Sequence, residues 1–217
     1  MILAVLLEQH LSSLMTNFEV DSHFSLSHYY DPKFETQAVK VLPGEYYATD
    51  GEEMIVTVLG SCVSVCLRDS YSGIGGLNHF LLPHDRSNRD TPLTESARYG
   101  VYAMELLINH LLKLGAQRSR FEAKVFGGGK VIKDFTFANV GERNVSFVLE
   151  HLKKEGIPIV ARDLLNIYPR KVHFFPSTGR VMLKKINSLH NKTLIEREKG
   201  YLRQVEYKPI AGEVDLF

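Results

Sequence analysis

The sequence predicts an α+β protein, a layered α/β sandwich in which helices cover a mainly antiparallel or mixed sheet. Three observations predict it. Two apolar runs, Ile55 to Leu67 and Ile74 to Leu82, flank the turn composition Asp69-Ser70-Tyr71-Ser72-Gly73 and read as a strand hairpin. Two later segments carry apolar stripes at helical spacing: Ala97, Val101, Met104, Ile108 and Leu111, then Val145, Val148, Leu149 and Leu152. Short strand-like runs fall between and after those stripes, giving the order strand hairpin, helix, strand, helix, strands.

Taken from the N-terminus, Met1 to Leu7 is apolar, but no Lys or Arg precedes Lys33, so the charged start of a signal peptide is missing. The run is also far too short to span a bilayer. Leu3, Leu7, Leu11, Leu14 and Phe18 instead recur at helical spacing and predict a short amphipathic helix packed on the domain. Residues 19–37 are polar and aromatic without a period and read as a linker. Val39 to Thr49 reads as an entering strand and a turn at Pro43-Gly44. After the hairpin, His84 to Thr94 is a loop placed to rim a cleft. The first helix ends at Gly115 and the second before Gly156, where glycine suits a helix end.

Between the helices, Phe121 to Phe126 reads as a strand running into Gly127-Gly128-Gly129-Lys130. No Ser or Thr follows the lysine and P-loop spacing is absent, so the glycines point to close backbone packing rather than phosphate binding. Arg143 and Asn144 are placed to anchor that loop or to cap the second helix. Ile157 to Leu164, Val172 to Pro176 and Arg180 to Ile186 read as further strands, the last two joined at Ser177-Thr178-Gly179. The charged stretch 187–217 reads as an appended helix or extended tail. The expected organisation is an extension and linker over 1–37, one domain over 38–186, and a tail over 187–217.

Composition narrows the function classes. Across 217 residues there are 26 basic and 25 acidic side chains, so no nucleic-acid footprint is visible. The hydrophobic fraction of 44% is enough for a real core without any span long enough to cross a membrane. The two cysteines, Cys62 and Cys66, would lie about 13 Å apart on one strand, beyond disulfide reach. One such pair also fails zinc-ligand arithmetic, so no metal is expected, and a reducing, cytoplasmic compartment fits.

The chemistry-bearing feature is Leu59-Gly60-Ser61-Cys62-Val63, answered by Gly76-Leu77-Asn78-His79-Phe80. A thiol becomes a useful nucleophile at neutral pH when a neighbour stabilises its thiolate. With Ser70 and Tyr71 as the hairpin tip, residues whose numbers sum to 141 oppose one another, which sets Cys62 directly across from His79. Opposed residues hold their Cβ atoms roughly 4.5–5.5 Å apart on one face. The bulge-permitting glycines Gly73, Gly75 and Gly76 qualify that register, because a slip of one residue turns His79 away. The plainer reading of the same residues is an inert core cysteine beside a packed imidazole. A redox role is disfavoured, since Cys66 is badly placed to resolve an oxidised Cys62 and no C-x-x-C occurs.

Several words of this chain resemble the chemoreceptor glutamine deamidase family, CheD. They are Val58 to Asp69, Gly76 to Pro83, the glycine-loop segment Phe121 to Gly129, Val140-Gly141-Glu142-Arg143-Asn144, Arg170-Lys171-Val172 and Pro176-Ser177-Thr178-Gly179. The resemblance runs from about Ala38 to Ile186. It implies a fold shared with deamidating-toxin cysteine hydrolases, Cys62 as nucleophile and His79 as base. It also implies a threonine upstream of the cysteine that orients the histidine, for which Thr57 is the candidate. An odd separation from Cys62 puts Thr57 on the opposite face of an uninterrupted strand. Either Gly60 marks a bulge that restores the facing, or the family position falls on Val56, or Thr57 is simply a strand residue. The backbone around Gly60, Ser61 and Cys62 offers candidate oxyanion donors, and Asn78 is a weaker alternative third member. The resemblance implies hydrolysis of a receptor glutamine amide through a cysteine thioester, with no cofactor. Partners would be the cytoplasmic helices of chemoreceptors and a CheC-type phosphatase; a non-catalytic adaptor that binds such a phosphatase is the competing function. The chain departs from many relatives at Leu165-Asn166-Ile167-Tyr168-Pro169, which stands where they carry a glycine-rich turn.

Overall fold

The computed structural model describes residues 26–82, 95–131, 139–186 and 192–207. The expected N-terminal helix over Leu3 to Phe18 and the rim loop from His84 lie outside the described residues. Within them the chain runs β1 (Ser27–Asp31), β2 (Thr36–Lys40), β3 (Tyr46–Thr49), β4 (Met54–Leu59), β5 (Val63–Asp69) and β6 (Gly75–Asn78). Helix α1 (Glu95–Lys113) and β7 (Phe121–Gly127) follow, then α2 (Val140–Lys154), β8 (Ile159–Leu164), β9 (Arg170–Phe175), β10 (Arg180–Lys185) and α3 (Lys192–Tyr207).

The strands form two five-stranded sheets, ordered β1-β2-β4-β9-β10 and β3-β6-β5-β7-β8. Each is mostly antiparallel with one parallel pair, β2 with β4 and β7 with β8. The architecture is therefore α+β with two mixed sheets rather than the single sheet the sequence suggests. Residues 27–31, read as part of a linker, are an edge strand paired with β2.

Burial parity explains the layering. Ile55 and Leu59 of β4 meet Cys66 of β5, Leu77 of β6 and Val172 and Phe174 of β9 in one apolar layer between the sheets. Val63, Val65 and Leu67 of β5 face the other way, onto Met104, Leu107, Ile108 and Leu111 of α1 and Val145, Val148 and Leu152 of α2. All of these helical residues but Leu107 belong to the expected stripes, of which Val101 and Leu149 are only half-buried; they are buried because a strand's second face needs apolar cover. Gly115 and Gly156 end the two helices at φ +100° and +67°, as the left-handed C-terminal position requires.

Two expectations about the hairpin are corrected. The apolar run from Ile55 to Leu67 is two strands, because the chain crosses from one sheet to the other at Gly60-Ser61-Cys62. Inward-facing residues are odd-numbered in β4 and even-numbered in β5, so the crossing changes parity. The register also differs. Cys66 pairs with Leu77, Leu67 with Gly76, and Val63 bridges Phe80. Extended, that register sets Cys62 across from Leu81, with His79 as its diagonal neighbour. The cause is a longer turn: the Asp69 carboxylate accepts from Tyr71 N and Ser72 N at 2.9 and 3.1 Å, and Gly73 closes the loop at φ +77°. A two-residue offset preserves facing, so Cys62 and His79 still share a face, with Cα atoms roughly 7–8 Å apart as diagonal neighbours.

Candidate active site

The crossing segment is held with a marked polarity. Its three carbonyls are all tied to the scaffold: Gly129 N donates to Gly60 O at 2.7 Å, Asn144 Nδ2 to Ser61 O at 2.9 Å, and Gly128 N to Cys62 O at 2.8 Å. Asn144 is fully buried and also accepts from Leu82 N at 2.9 Å, locking the segment to the strand that carries His79. Asn144 is expected to anchor the glycine loop or cap the second helix; its side chain instead holds the crossing and Leu82, because it is buried against them. The glycines are required by contact. A Cβ on Gly127 would collide with Cys62 O, and one on Gly128 would collide with Val145 Cγ2. With their N–H groups committed to those carbonyls, Gly128 and Gly129 do not form a phosphate cradle.

With the carbonyls turned away, the N–H groups of the crossing converge on one anion. Glu198 of α3 accepts from Gly60 N at 2.8 Å and Cys62 N at 3.4 Å through Oε1, and from Ser61 N at 2.9 Å and Ser61 Oγ at 2.6 Å through Oε2. Successive amides aimed at one point form an anion-binding nest. Glu198 has no counterpart among the residues expected from sequence. A signal was present: Leu194, Glu198, Tyr201 and Leu202 fall on one helix face, and the charge sits in the middle of an otherwise apolar stripe. Leu194, Glu198 and Leu202 are buried, while Thr193, Glu196, Arg197, Gly200 and Arg203 are exposed.

Thr57 and His79 meet from opposite sheets. Thr57 Oγ1 lies 2.8 Å from His79 Nδ1 and donates to Val41 O at 2.8 Å. Its single proton is used on that carbonyl, so the hydroxyl oxygen accepts from Nδ1–H and Nε2 carries the lone pair. Nε2 is buried and has no hydrogen-bond partner among the described residues. Thr57 faces inward because β4 belongs to the other sheet, so the parity argument against it does not apply. Val56 faces the opposite side, into a smaller cluster with Met54 and Phe175.

The structure does not bring Asn78 to this face. Its Oδ1 accepts from Val65 N at 2.9 Å, and its Nδ2 donates to Ala103 O at 3.2 Å on the α1 side. Arg170 is fully buried beneath the rim, donating to the carbonyls of Gly127, Asp163 and Leu165 and pairing with Asp163 at 2.6 Å. That rim holds Leu165 and Asn166 at φ +63° and +72°, so bulky residues adopt the left-handed region that glycine favours.

Electrostatics follow from enclosure. Cys62 is 0% and His79 1% exposed. Burial, then the neighbouring Glu198 carboxylate, push the Cys62 thiol well above its ordinary value. Burial lowers the His79 imidazole to about 3, partly opposed by the Val41 carbonyl. The pair is therefore held as neutral thiol and neutral imidazole. A cavity of about 180 Å³ reaches His79 from between the Pro43 turn and α3, bounded by Leu42, Thr193 and Arg197. Cys66, also buried, lies on the same inter-sheet face, and burial raises its thiol strongly.

Comparison with known proteins places this site in context. A family model described as CheD chemotactic sensory transduction matches residues 81–185. A probable chemoreceptor glutamine deamidase CheD of Shewanella oneidensis is 59% identical over 189 residues, covering 87% of this chain and 92% of the relative. One from Methylobacillus flagellatus is 53% identical over 91% of this chain and 98% of its own length. Another, from Halorhodospira halophila, is 46% identical over 88% of this chain and 90% of its own length. The chain belongs to the CheD family. Among the described residues no helix is long and apolar enough to cross a membrane.

Proposed function

We propose that this chain is a protein-glutamine deamidase that converts glutamine side chains of chemoreceptors to glutamate, with Cys62 as nucleophile, His79 as general base and Thr57 as the positioning group. The observation that carries this reading is the polarity of residues 60–62, where every carbonyl is tied back and every N–H points to one bound carboxylate beside the thiol, with Gly60 N and Cys62 N sharing a single oxygen. Such donors stabilise the oxyanion that forms when a thiolate attacks an amide carbon.

In the first step His79 Nε2 takes the thiol proton, and the Cys62 sulfur bonds to the side-chain carbonyl carbon. The amide oxygen becomes an oxyanion held by the N–H groups of Gly60, Ser61 and Cys62. As the oxyanion collapses, the C–N bond breaks and ammonia leaves with the proton from His79, giving a thioester. Water then gives a proton to the same imidazole and attacks the thioester carbon. The C–S bond breaks, releasing glutamate, and the thiol regains a proton. The cavity at His79 has room for that water. Thr57 fixes the imidazole through Nδ1, so that Nε2 is the basic nitrogen; a hydroxyl locked on Val41 O can only accept there.

Layering with the nucleophile at a sheet crossing is compatible with the deamidating-toxin fold that the family resemblance implies. Residues 38–186 would form the catalytic unit, acting in the cytoplasm on receptor helices, with a CheC-type phosphatase as a regulatory partner. A methyl ester of glutamate would follow the same path as the amide.

The test is to incubate the purified chain with a receptor cytoplasmic fragment and follow peptide masses. Each converted glutamine gains about 1 Da, since an amide becomes an acid. Loss of that gain in both Cys62→Ala and His79→Ala supports the reading. No gain with a cognate receptor from either the unaltered chain or its Glu198→Ala variant would favour the adaptor function.

A further inference from the structure

The nest that the mechanism assigns to a substrate is already filled by the chain itself. We propose that α3 is an intramolecular product mimic: Glu198 occupies the place of a substrate glutamine side chain, and α3 lies where the substrate's own helix must lie, so the described state is closed and autoinhibited. The identity of the mimicked group rests on the deamidase reading; the occlusion does not.

Four observations converge. Glutamate is the product of glutamine deamidation, and the two side chains have the same length and a planar head. Both head-group oxygens of Glu198 are engaged, one by Gly60 N and Cys62 N and the other by Ser61 N and Oγ. A glutamine in that pose would set its carbonyl oxygen on Gly60 N and Cys62 N and turn its NH₂ toward Ser61 Oγ, which can accept, giving up only the Ser61 N contact that a carboxylate oxygen makes. The second observation is enclosure. Cys62, His79 and Glu198 are 0%, 1% and 1% exposed, so no protein substrate reaches the thiol while α3 is docked. Third, the carboxylate disfavours the thiolate that the reaction needs, an effect opposite to activation. A purely structural staple gains nothing from standing beside a nucleophile. Fourth, Glu198 is flanked on its own helix by contacts that seat α3 over the site. Leu202 and Tyr201 pack against the end of the inter-sheet layer, Tyr201 lies on Gly44, and its hydroxyl meets that of Tyr99.

The mimic also specifies what it displaces. Around Glu198, α3 turns inward the buried Leu194 and Leu202 and the half-buried Tyr201, which stand four residues before and four and three after it. A substrate taking the same path is an amphipathic helix with a glutamine in its apolar stripe and apolar residues at those offsets. Receptor binding and α3 docking are then mutually exclusive, and substrate affinity is lowered by the closed fraction.

The test uses the full chain with two readouts: alkylation of Cys62 by iodoacetamide, mapped by peptide mass, and deamidation of the receptor fragment. Glu198→Ala is expected to raise both rates at least about tenfold over the unaltered chain. Glu198→Gln keeps the side-chain shape and guards against misfolding of the first variant. In it, the introduced glutamine is expected to convert to glutamate in cis, gaining about 1 Da on its peptide, and to stay unconverted when Cys62→Ala is added. Equal alkylation and equal deamidation in Glu198→Ala and the unaltered chain, with both folded by circular dichroism, would overturn the proposal. So would a Glu198→Gln chain that deamidates the receptor while its introduced glutamine persists. Faster alkylation with no receptor glutamine converted by any form would retain the occlusion and remove the deamidase reading.

Discussion

Two buried carboxylates in this molecule each gather backbone N–H groups, and they do so to opposite ends. Asp69 accepts from Tyr71 N, Ser72 N and Gln117 N, and Arg120 donates to it through two nitrogens at 3.0 and 2.7 Å. Burial alone would push its carboxyl up, but the Gln117 amide, the Arg120 guanidinium and the turn amides hold it well below the usual range. Its partners belong to its own turn and to the 3-10 segment Arg118–Arg120 with its N-cap Gln117, and a charge neutralises it. Glu198 reaches a comparable set of amides from 138 positions along the chain, borne on a helix appended after the last strand. One carboxylate welds a turn and sets a register. The other fills a nest beside the Cys62 thiol, a contact that the proposed autoinhibition requires to be reversible.

The sharpest way to break that contrast is stability. Asp69→Ala leaves Arg120 and three amides without their anion and is expected to cost about 4 kcal/mol in urea unfolding. Glu198→Ala is expected to cost no more than about 1.5 kcal/mol, since water can enter the vacated nest. Equal losses would mean that both carboxylates are welds.

The carbonyl side of the crossing should behave like Asp69 rather than Glu198. Gly127 sits at φ +117° with Cys62 O in its Cβ position, so Gly127→Ala is expected to cost about 2–3 kcal/mol and to depress activity with it. A neutral result in a thermal melt would show that the crossing tolerates movement on both sides.

Thr57 belongs to neither carboxylate and reports on the imidazole alone. Thr57→Val is expected to lower kcat roughly 10- to 100-fold, part of what a positioned base is worth, with KM nearly unchanged. Thr57→Ser should restore most of it. Loss through KM instead would mean that the hydroxyl serves binding.

The smallest effect is with pH. Burial lowers His79 from 6.5 to about 3, so between those values the unfolded chain takes up a proton that the folded chain refuses. Its contribution leaves stability undiminished above about 6.5 and lowers it as pH falls, by up to about 1.4 kcal/mol per unit from this group. Asp69, lowered likewise, begins to cost stability only below its ordinary value near 3.8. His79→Asn should flatten the slope of urea midpoints between pH 7 and 5; an unchanged slope would assign it to other histidines.

Much of this architecture was legible locally. The helix stripes Met104, Ile108 and Leu111, and Val145, Val148 and Leu152, are buried as their spacing requires, and the glycines at 115 and 156 close them. The strand runs after Phe121 fall within a few residues of β7 to β10. The hairpin register lies two positions from the one that a tip at Ser70 and Tyr71 predicts, because turn length depends on the Asp69 side chain, which captures the amides of Tyr71, Ser72 and Gln117. The relation of Thr57 to His79 was hidden for a different reason. Facing rules hold within one strand, and the chain leaves its sheet between Thr57 and Cys62.

What the sequence determined by itself is therefore everything with a short period: which segments bury a stripe, where glycine must end a helix or admit a neighbouring backbone, and which motif marks the family. What only the tertiary structure decided is direction. It set which way the carbonyls and amides of Gly60-Ser61-Cys62 point, which sheet presents Thr57, and that a glutamate from the last described helix meets them. Periodicity records each residue's burial relative to its own element, whereas those relations depend on how two sheets and an appended helix are placed against one another, a matter of contacts far apart in the chain.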